Sequence, residues 1–447
     1  MKRTSRRDFL ATARDALAGA ATLSLIGAGE ALGANERVNI GLIGCGGRGR
    51  YVAYGMAALG ARVNYLCDLM PSRREGAAKF IERVQKERPK LVADMRALFD
   101  DKNLDAVVVA TPDHWHAPAT IMACQAGKDV YVEKPASHNI WESTKMIEAA
   151  RKYGRVVQVG TQNRSAPYNL KARDYIRSGK LGKVCLVQVY NLKPGGPFRL
   201  GDPGKQPEGF DWDRWLGRAP YRPYHQRIFR SGWQHFWDFC GGDMGNDGIH
   251  QIDLALMMMG DPGFPKSVRC VGGRYAYRGD DSETPDVEIA SYDFGSFVMT
   301  FEMTNYPRYM RKTTGTIRRN DLLPYWTQNA TRIEFYGSEL LMILGRHGGG
   351  WVVMTSGGKV VEKTYGRPGD EPHYRNFLEC VKSRKRPTAD IAIAHLANTT
   401  MHMGNIAHRV GNTVLRYDPK AGKFDDPEAN RLIKPPYRKG YEIPEKV

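Results

Sequence analysis

Three groups of residues in this 447-residue chain have types and spacings that could do chemistry. The first is Gly44-Cys45-Gly46-Gly47-Arg48-Gly49, a G-x-G-x-x-G loop between the apolar run 38–43 and a helix-compatible stretch ending at Leu59. Gly44 is suited to a tight turn, Gly46 to close approach of backbone N–H groups to a pyrophosphate, and Gly49 to close packing of helix on strand. A second apolar run, 61–67, ends at Asp68, where a carboxylate can accept hydrogen bonds from a ribose hydroxyl. Strand, loop, helix, strand and acid in this order predict a dinucleotide site. The carboxylate would repel a 2′-phosphate and so favours NAD, although Arg73 and Arg74 leave NADP open.

The second group follows three further strand-length runs, 105–110, 129–132 and 156–159. They end in Thr111-Pro112-Asp113-His114-Trp115-His116, in Glu133-Lys134-Pro135, and in a segment that holds Gln162 and Arg164. Strands alternating with helices predict a parallel, doubly wound sheet. Ligands bind at the carboxyl ends of such strands, so these loops should converge with the glycine loop.

The third group is Gly241-Gly242-Asp243-Met244-Gly245-Asn246-Asp247-Gly248-Ile249-His250-Gln251-Ile252-Asp253. If a helix begins near Asp247, then Asn246 or Asp247, His250 and Asp253 share one face. An imidazole flanked by carboxylates is a proton-transfer unit; the same pattern also fits a helix capped by Asn246 or Asp247 with a half-buried histidine.

The rest of the chain must position these groups. Beyond residue 165 a helix (168–178) precedes alternating strand patterns at 184–190, 288–294, 296–303, 332–336 and 340–344, which predict a mostly antiparallel sheet in a separate domain. Four of the eight tryptophans (212, 215, 233, 237) fall within 211–240, where they could stack on sugar rings or pack domains. Residues 372–410 read as two helices. Seven scattered cysteines without a C-x-x-C pair argue against a zinc ribbon, an iron–sulfur cluster or a disulfide scaffold, and His114, His116 and His138 match no strong metal-ligand spacing. At the amino terminus, Ser5-Arg6-Arg7-Asp8-Phe9-Leu10 and the Ala/Leu/Gly-rich stretch 16–34 predict a twin-arginine signal peptide, hence a periplasmic protein, and too short an apolar run for a stable membrane span.

Together, GCGGRG, TPDHWH, EKP and GGDMGNDGIHQID resemble the Gfo/Idh/MocA family of oxidoreductases over residues 37–411. After the leader (1–34), the resemblance implies an NAD(P)-binding Rossmann domain (35–162) and an α/β domain (163–370) whose open sheet packs against a partner subunit in a dimer or tetramer. It also implies that a carboxy-terminal part (371–447) returns to the Rossmann domain. It places the TPDHWH residues Thr111, Pro112, His114, Trp115 and His116, with Glu133 and Gln162, at the cofactor. Lys134 would lie beside the nicotinamide and the reacting carbon, and His250 would act as acid/base on a substrate hydroxyl, with Lys134, Arg164, Asn246 and His250 on the substrate. Many members carry aspartate four residues before this histidine; here that position is Asn246, with Asp247 or Asp243 as replacements.

The expected reaction is oxidation of a secondary hydroxyl of a sugar or glycoside, with NAD held tightly and recycled. Redox-assisted glycoside hydrolysis, elimination or epimerisation with the same bound NAD is an alternative, and a non-catalytic carbohydrate-binding or sensory protein another. The formal charge of +18 fits nucleic acid in sign, but no recognition motif accompanies it. Residues 164–232 hold 14 Lys and Arg against five Asp and Glu, and 308–319 add five more basic residues, which points instead to an anionic sugar or simply to a basic surface.

Overall fold

A computed structural model describes residues 37–447, except Asn412 and the side chain of Arg319; the leader expected over 1–34 lies outside them. Buried runs rich in Val, Ile and Leu form the first sheet, as expected for strands covered on both faces. Its strands are β1 (Asn39–Ile43), β2 (Arg62–Cys67), β3 (Lys90–Val92), β4 (Ala106–Val109), β5 (Asp129–Val132) and β6 (Val157–Val159). They are all parallel, in the order β3-β2-β1-β4-β5-β6. The order reverses beside β1, where the glycine loop emerges, so loops after β1, β2, β4 and β5 open onto one crevice. The edge strand β3 has only three residues and no fully buried side chain, which is why no apolar run announces it.

The second sheet has ten strands: β7 (Val184–Leu192), β8 (Ser267–Gly273), β9 (Val287–Asp293), β10 (Val298–Thr304), β11 (Arg332–Gly337), β12 (Leu341–Gly345), β13 (Trp351–Met354), β14 (Val360–Thr364), β15 (Leu415–Asp418) and β16 (Lys423–Phe424). Among these, the β7–β10 pair is parallel and every other paired neighbour is antiparallel. Alternation sets one face: Tyr292, Phe301, Phe335 and Met299 point into the core, whereas Val271, Ile289 and Val298 stay exposed.

The carboxy-terminal part packs on the Rossmann sheet and reaches the second sheet as well. The helix Asp370–Ser383 packs on the former, with Tyr374 and Phe377 among Ile40, Leu42, Met56 and Tyr131. The helix Ile391–Val410 joins both cores instead: Ile391 and Ala394 pack on the parallel sheet, and Leu396, Met401 and Ile406 under the ten-stranded one. Leu415 and Phe424 then carry β15 and β16 onto the edge of the second sheet, because alternation in Leu415–Asp418 buries Leu415 and Tyr417. Residues Val38–Val447 form one compact unit.

Phe377 is fully buried, so Phe377→Ala should lower unfolding free energy by about 3–5 kcal/mol in denaturant titrations. A loss below about 1 kcal/mol would mean that the helix Asp370–Ser383 is not part of the core that shapes the crevice.

Candidate active site

The glycine loop is built for close approach. Gly44 has φ +96, and a side chain there would meet the Ala110 carbonyl at 2.5 Å; one at Gly49 would meet the Gly44 carbonyl at 2.1 Å. Above Gly46 there is open space. The helix Gly47–Ala58 starts with no side-chain cap and no acidic residue in its first turn, so its leading N–H groups face that space without a carboxylate to satisfy them. Asp68 is pinned beside the loop: Cys45 N–H donates to Oδ2 and Met70 N–H to Oδ1, each at 2.8 Å. Burial raises its pKa, opposed by Arg73 and by these two donors.

A cavity of about 570 Å³ runs from this loop to the EKP lysine. Gly44, Cys45, Gly46, Gly47, Arg48, Asp68, Thr111, Pro112, Trp115, His116, Glu133, Lys134 and Asn246 line it. An open cradle over Gly46, free helix N–H groups and a positioned carboxylate fit a dinucleotide. These residues would hold its pyrophosphate and ribose.

Other expected contacts are used differently. His114 is buried behind the cavity with Nε2 3.0 Å from the Trp215 carbonyl, and burial pushes its pKa down to about 3. Gly49 packs the helix and does not line the cavity, nor does Gln162, in the turn after β6. Arg48 and Glu133 reach the cavity but pair with each other at 2.7 Å, and Arg48 also reaches Asp370 at 3.2 Å. Both ring nitrogens of His116 meet carbonyl oxygens, of Pro135 at 2.7 Å and Thr111 at 3.0 Å. His138 meets the Trp237 carbonyl at 2.8 Å.

The motif 241–253 does not begin as a helix capped at Asn246 or Asp247. A π-helical turn, Met244–Gly248, runs directly into the helix Ile249–Met258, and no side-chain cap closes either. Such widened turns recur at functional sites. Here the turn sends neighbouring residues in different directions. Asn246 turns to the cavity: its carbonyl oxygen accepts a hydrogen bond from Lys134 Nζ, and its amide pairs with Gln234 in both directions at 3.3 Å. Asp247 turns away, into a nest of three cations: Arg346 at 3.3 Å, Lys193 at 3.2 Å, and Lys312. Burial alone would raise its pKa, but Arg346, Lys193 and Lys312 hold it well below the usual carboxylate range. Lys193 is shared with Asp243 at 2.5 Å.

His250 is buried, and its Nδ1 has no hydrogen-bond partner among the described residues. Burial, then Arg346 and Lys134, lower its pKa well below the ordinary value, and Asp247 opposes them. It is therefore a neutral imidazole in a cationic surrounding. Asp253, expected on the same face, is instead claimed by Arg164 at 2.7 Å; burial still raises its carboxyl to about 6. Arg164 thus belongs to a buried ion-pair network with Asp253 and Asp261, not to a substrate surface. A guanidinium 4% exposed needs such partners.

Part of the basic surplus of 164–232 and 308–319 is absorbed in this way. Besides Arg164, Lys193 and Lys312, Arg222 pairs with Asp238 and Glu283, and Arg218 with Glu142. Of the tryptophans, Trp212 and Trp215 stack on each other 4.5 Å apart within a buried aromatic cluster, whereas Trp233 and Trp215 reach the cavity. The stretch 211–240 also contributes Arg214, Phe229, Arg230, Ser231 and Gln234 to the lining, none of them expected from the sequence. Its density of aromatic and basic residues was the available signal.

Comparison with known proteins agrees with this geometry. A family model described as "Oxidoreductase family, NAD-binding Rossmann fold" matches residues 38–161. A second, "Oxidoreductase family, C-terminal alpha/beta domain", matches 199–273 and 355–443. The chain is 33% identical over 186 residues to inositol 2-dehydrogenase 2 of Saccharopolyspora erythraea, covering 40% of this chain and 53% of that protein. It is 31% identical over 175 residues to levoglucosan dehydrogenase of Pseudarthrobacter phenanthrenivorans, covering 36% and 44%. The chain thus spans about half the length of these curated relatives. In fold it is similar to a solved levoglucosan dehydrogenase in complex with NADH and levoglucosan, with TM-score 0.62, 17% identity, and coverage of 85% of this chain and 99% of that one. The two family models together match more than half of the residues, on both sheets, and the chain belongs to the GFO_IDH_MocA oxidoreductase family.

Proposed function

We propose that this protein oxidises a secondary hydroxyl of a sugar, with NAD as the cofactor. One observation carries the reading. Lys134, at the carboxyl edge of the parallel sheet and in the cavity of the glycine loop, reaches across to the main chain of Asn246, in the motif that holds His250. NAD, when bound, supplies the hydride acceptor. Lys134 orients the hydroxyl and stabilises alkoxide character with its ammonium. His250, kept neutral, accepts the hydroxyl proton; Asp247 offsets the charge this creates, which Arg346 and Lys134 oppose. The aspartate thus acts electrostatically, as the counterion of the cation nest.

A finer reading concerns the sugar. Lys193, Lys312 and Arg346 bring three positive charges against the two of Asp243 and Asp247, close to His250. Burial pushes Lys312 down to about 8, so an added anion would be welcome there. This favours a uronate or sulfated sugar over a neutral one. The twin-arginine pattern supports export to the periplasm with the cofactor already bound. The exposed sheet face at Val271, Ile289 and Val298 supports a dimer or tetramer.

Lys134→Ala should abolish turnover of sugar while nucleotide still co-purifies, as read by mass spectrometry of the denatured protein. Retained turnover would contradict the role of Lys134. Because burial and the neighbouring cations hold His250 well below its ordinary pKa of 6.5, kcat/KM for a neutral sugar should hold level from about pH 8 to about pH 6.5. An acid limb centred near 6.5 would show an unperturbed imidazole instead. Acidic sugars should be turned over with kcat/KM about tenfold or more above their neutral counterparts, an advantage that shrinks with added salt. Equal rates at all ionic strengths would end the acidic-sugar reading.

A further inference from the structure

The cavity has two walls of different origin. One is the parallel sheet's loop edge; the other is the stretch Arg214–Gln234, which the chain inserts between strands of the second sheet. Phe229, Arg230, Trp233 and Gln234 face the glycine loop and Asp68 across the same space. This second wall is fastened at several points. Trp115 Nε1 donates to the Trp215 carbonyl at 3.0 Å, and Arg218 Nε donates to the His114 carbonyl at 2.8 Å. Arg73, five residues after Asp68, lies over the Phe229 ring at 4.2 Å, and Met70 packs in the same aromatic cluster. Arg214 approaches Asp94 at 3.7 Å. From the far side, Arg438 holds the Gly217 carbonyl at 2.8 Å.

Within this wall Arg230 is exposed, lines the cavity and forms no ion pair among the described residues, unlike Arg214 and Arg218. An exposed cation facing the uncapped start of the helix Gly47–Ala58 suits a pyrophosphate. We propose that the stretch Arg214–Gln234 is a dinucleotide-binding element in its own right: Arg230 pairs with the anionic cofactor, and the Arg73–Phe229 stack latches the roof that keeps it from leaving. This rests on the reading that the cavity holds NAD. It adds that retention comes from the second wall and not from the glycine loop alone.

The roof makes a kinetic prediction. The dinucleotide leaves only when the Arg73–Phe229 stack parts, so dissociation is slow and the roof residues act mainly on the off-rate. The test loads the full chain with NAD, removes the excess by gel filtration, and follows exchange against isotopically labelled NAD by mass spectrometry. Arg230→Gln and Arg73→Gln are compared with the wild type, with thermal unfolding measured alongside. The expected result is an off-rate at least about tenfold faster in each variant, with unfolding midpoints unchanged once nucleotide has been removed from all three proteins. Phe229→Leu, which keeps an apolar side chain in the cluster, should speed exchange in the same direction. A wild-type protein that binds nucleotide but exchanges no more slowly than Arg230→Gln and Arg73→Gln overturns the roof alone. A wild-type protein that binds no nucleotide overturns the cofactor reading and the roof with it.

Discussion

The hydrogen bond from the Lys134 ammonium to the Asn246 carbonyl is the contact on which the rest of the site depends. It joins the carboxyl edge of the parallel sheet to the segment of the second half that carries His250, and both ends must be delivered precisely for it to form. β5 delivers Lys134, and the π-helical turn Met244–Gly248 delivers Asn246. The helix Ile391–Val410 packs on both sheets, so the distance between the two ends is set by a continuous core and not by a hinge. A cofactor lying along the glycine loop toward Lys134 would therefore have its reactive end at this junction.

Much of the first half was legible in the sequence because each local signal agrees with the global fold. Apolar runs of strand length mark β1, β4 and β5; Gly44 and Gly49 are glycines because a Cβ would strike a carbonyl; Asp68 closes β2 at the spacing a ribose needs. The residues at the strand ends were visible for the same reason, since topology alone sends them to one crevice.

What was not legible involves contacts between residues distant in sequence. The spacing of Asp247, His250 and Asp253 suggested one catalytic face, yet the widened turn and two separate ion-pair networks disperse them. Nothing near Asp247 in sequence reveals that Lys193, Lys312 and Arg346 converge on it from three other segments. Arg164 looked like a substrate ligand because it follows a strand end; Asp253 and Asp261, about ninety residues on, bury it. The same holds for the basic surplus. Charge counted along the chain suggested a surface, but folding pairs part of it internally and leaves a smaller excess beside His250.

In the proposed reaction, Lys134 and His250 serve hydride removal from a sugar carbon to a bound NAD. The most direct measurement is a single turnover of NAD-loaded protein with a sugar deuterated at its carbinol carbons, followed by mass spectrometry of the released nucleotide. One deuterium on the nucleotide and a keto-sugar in equal amount are the expected result. Oxidised or cleaved sugar with an unlabelled nucleotide would contradict this reaction.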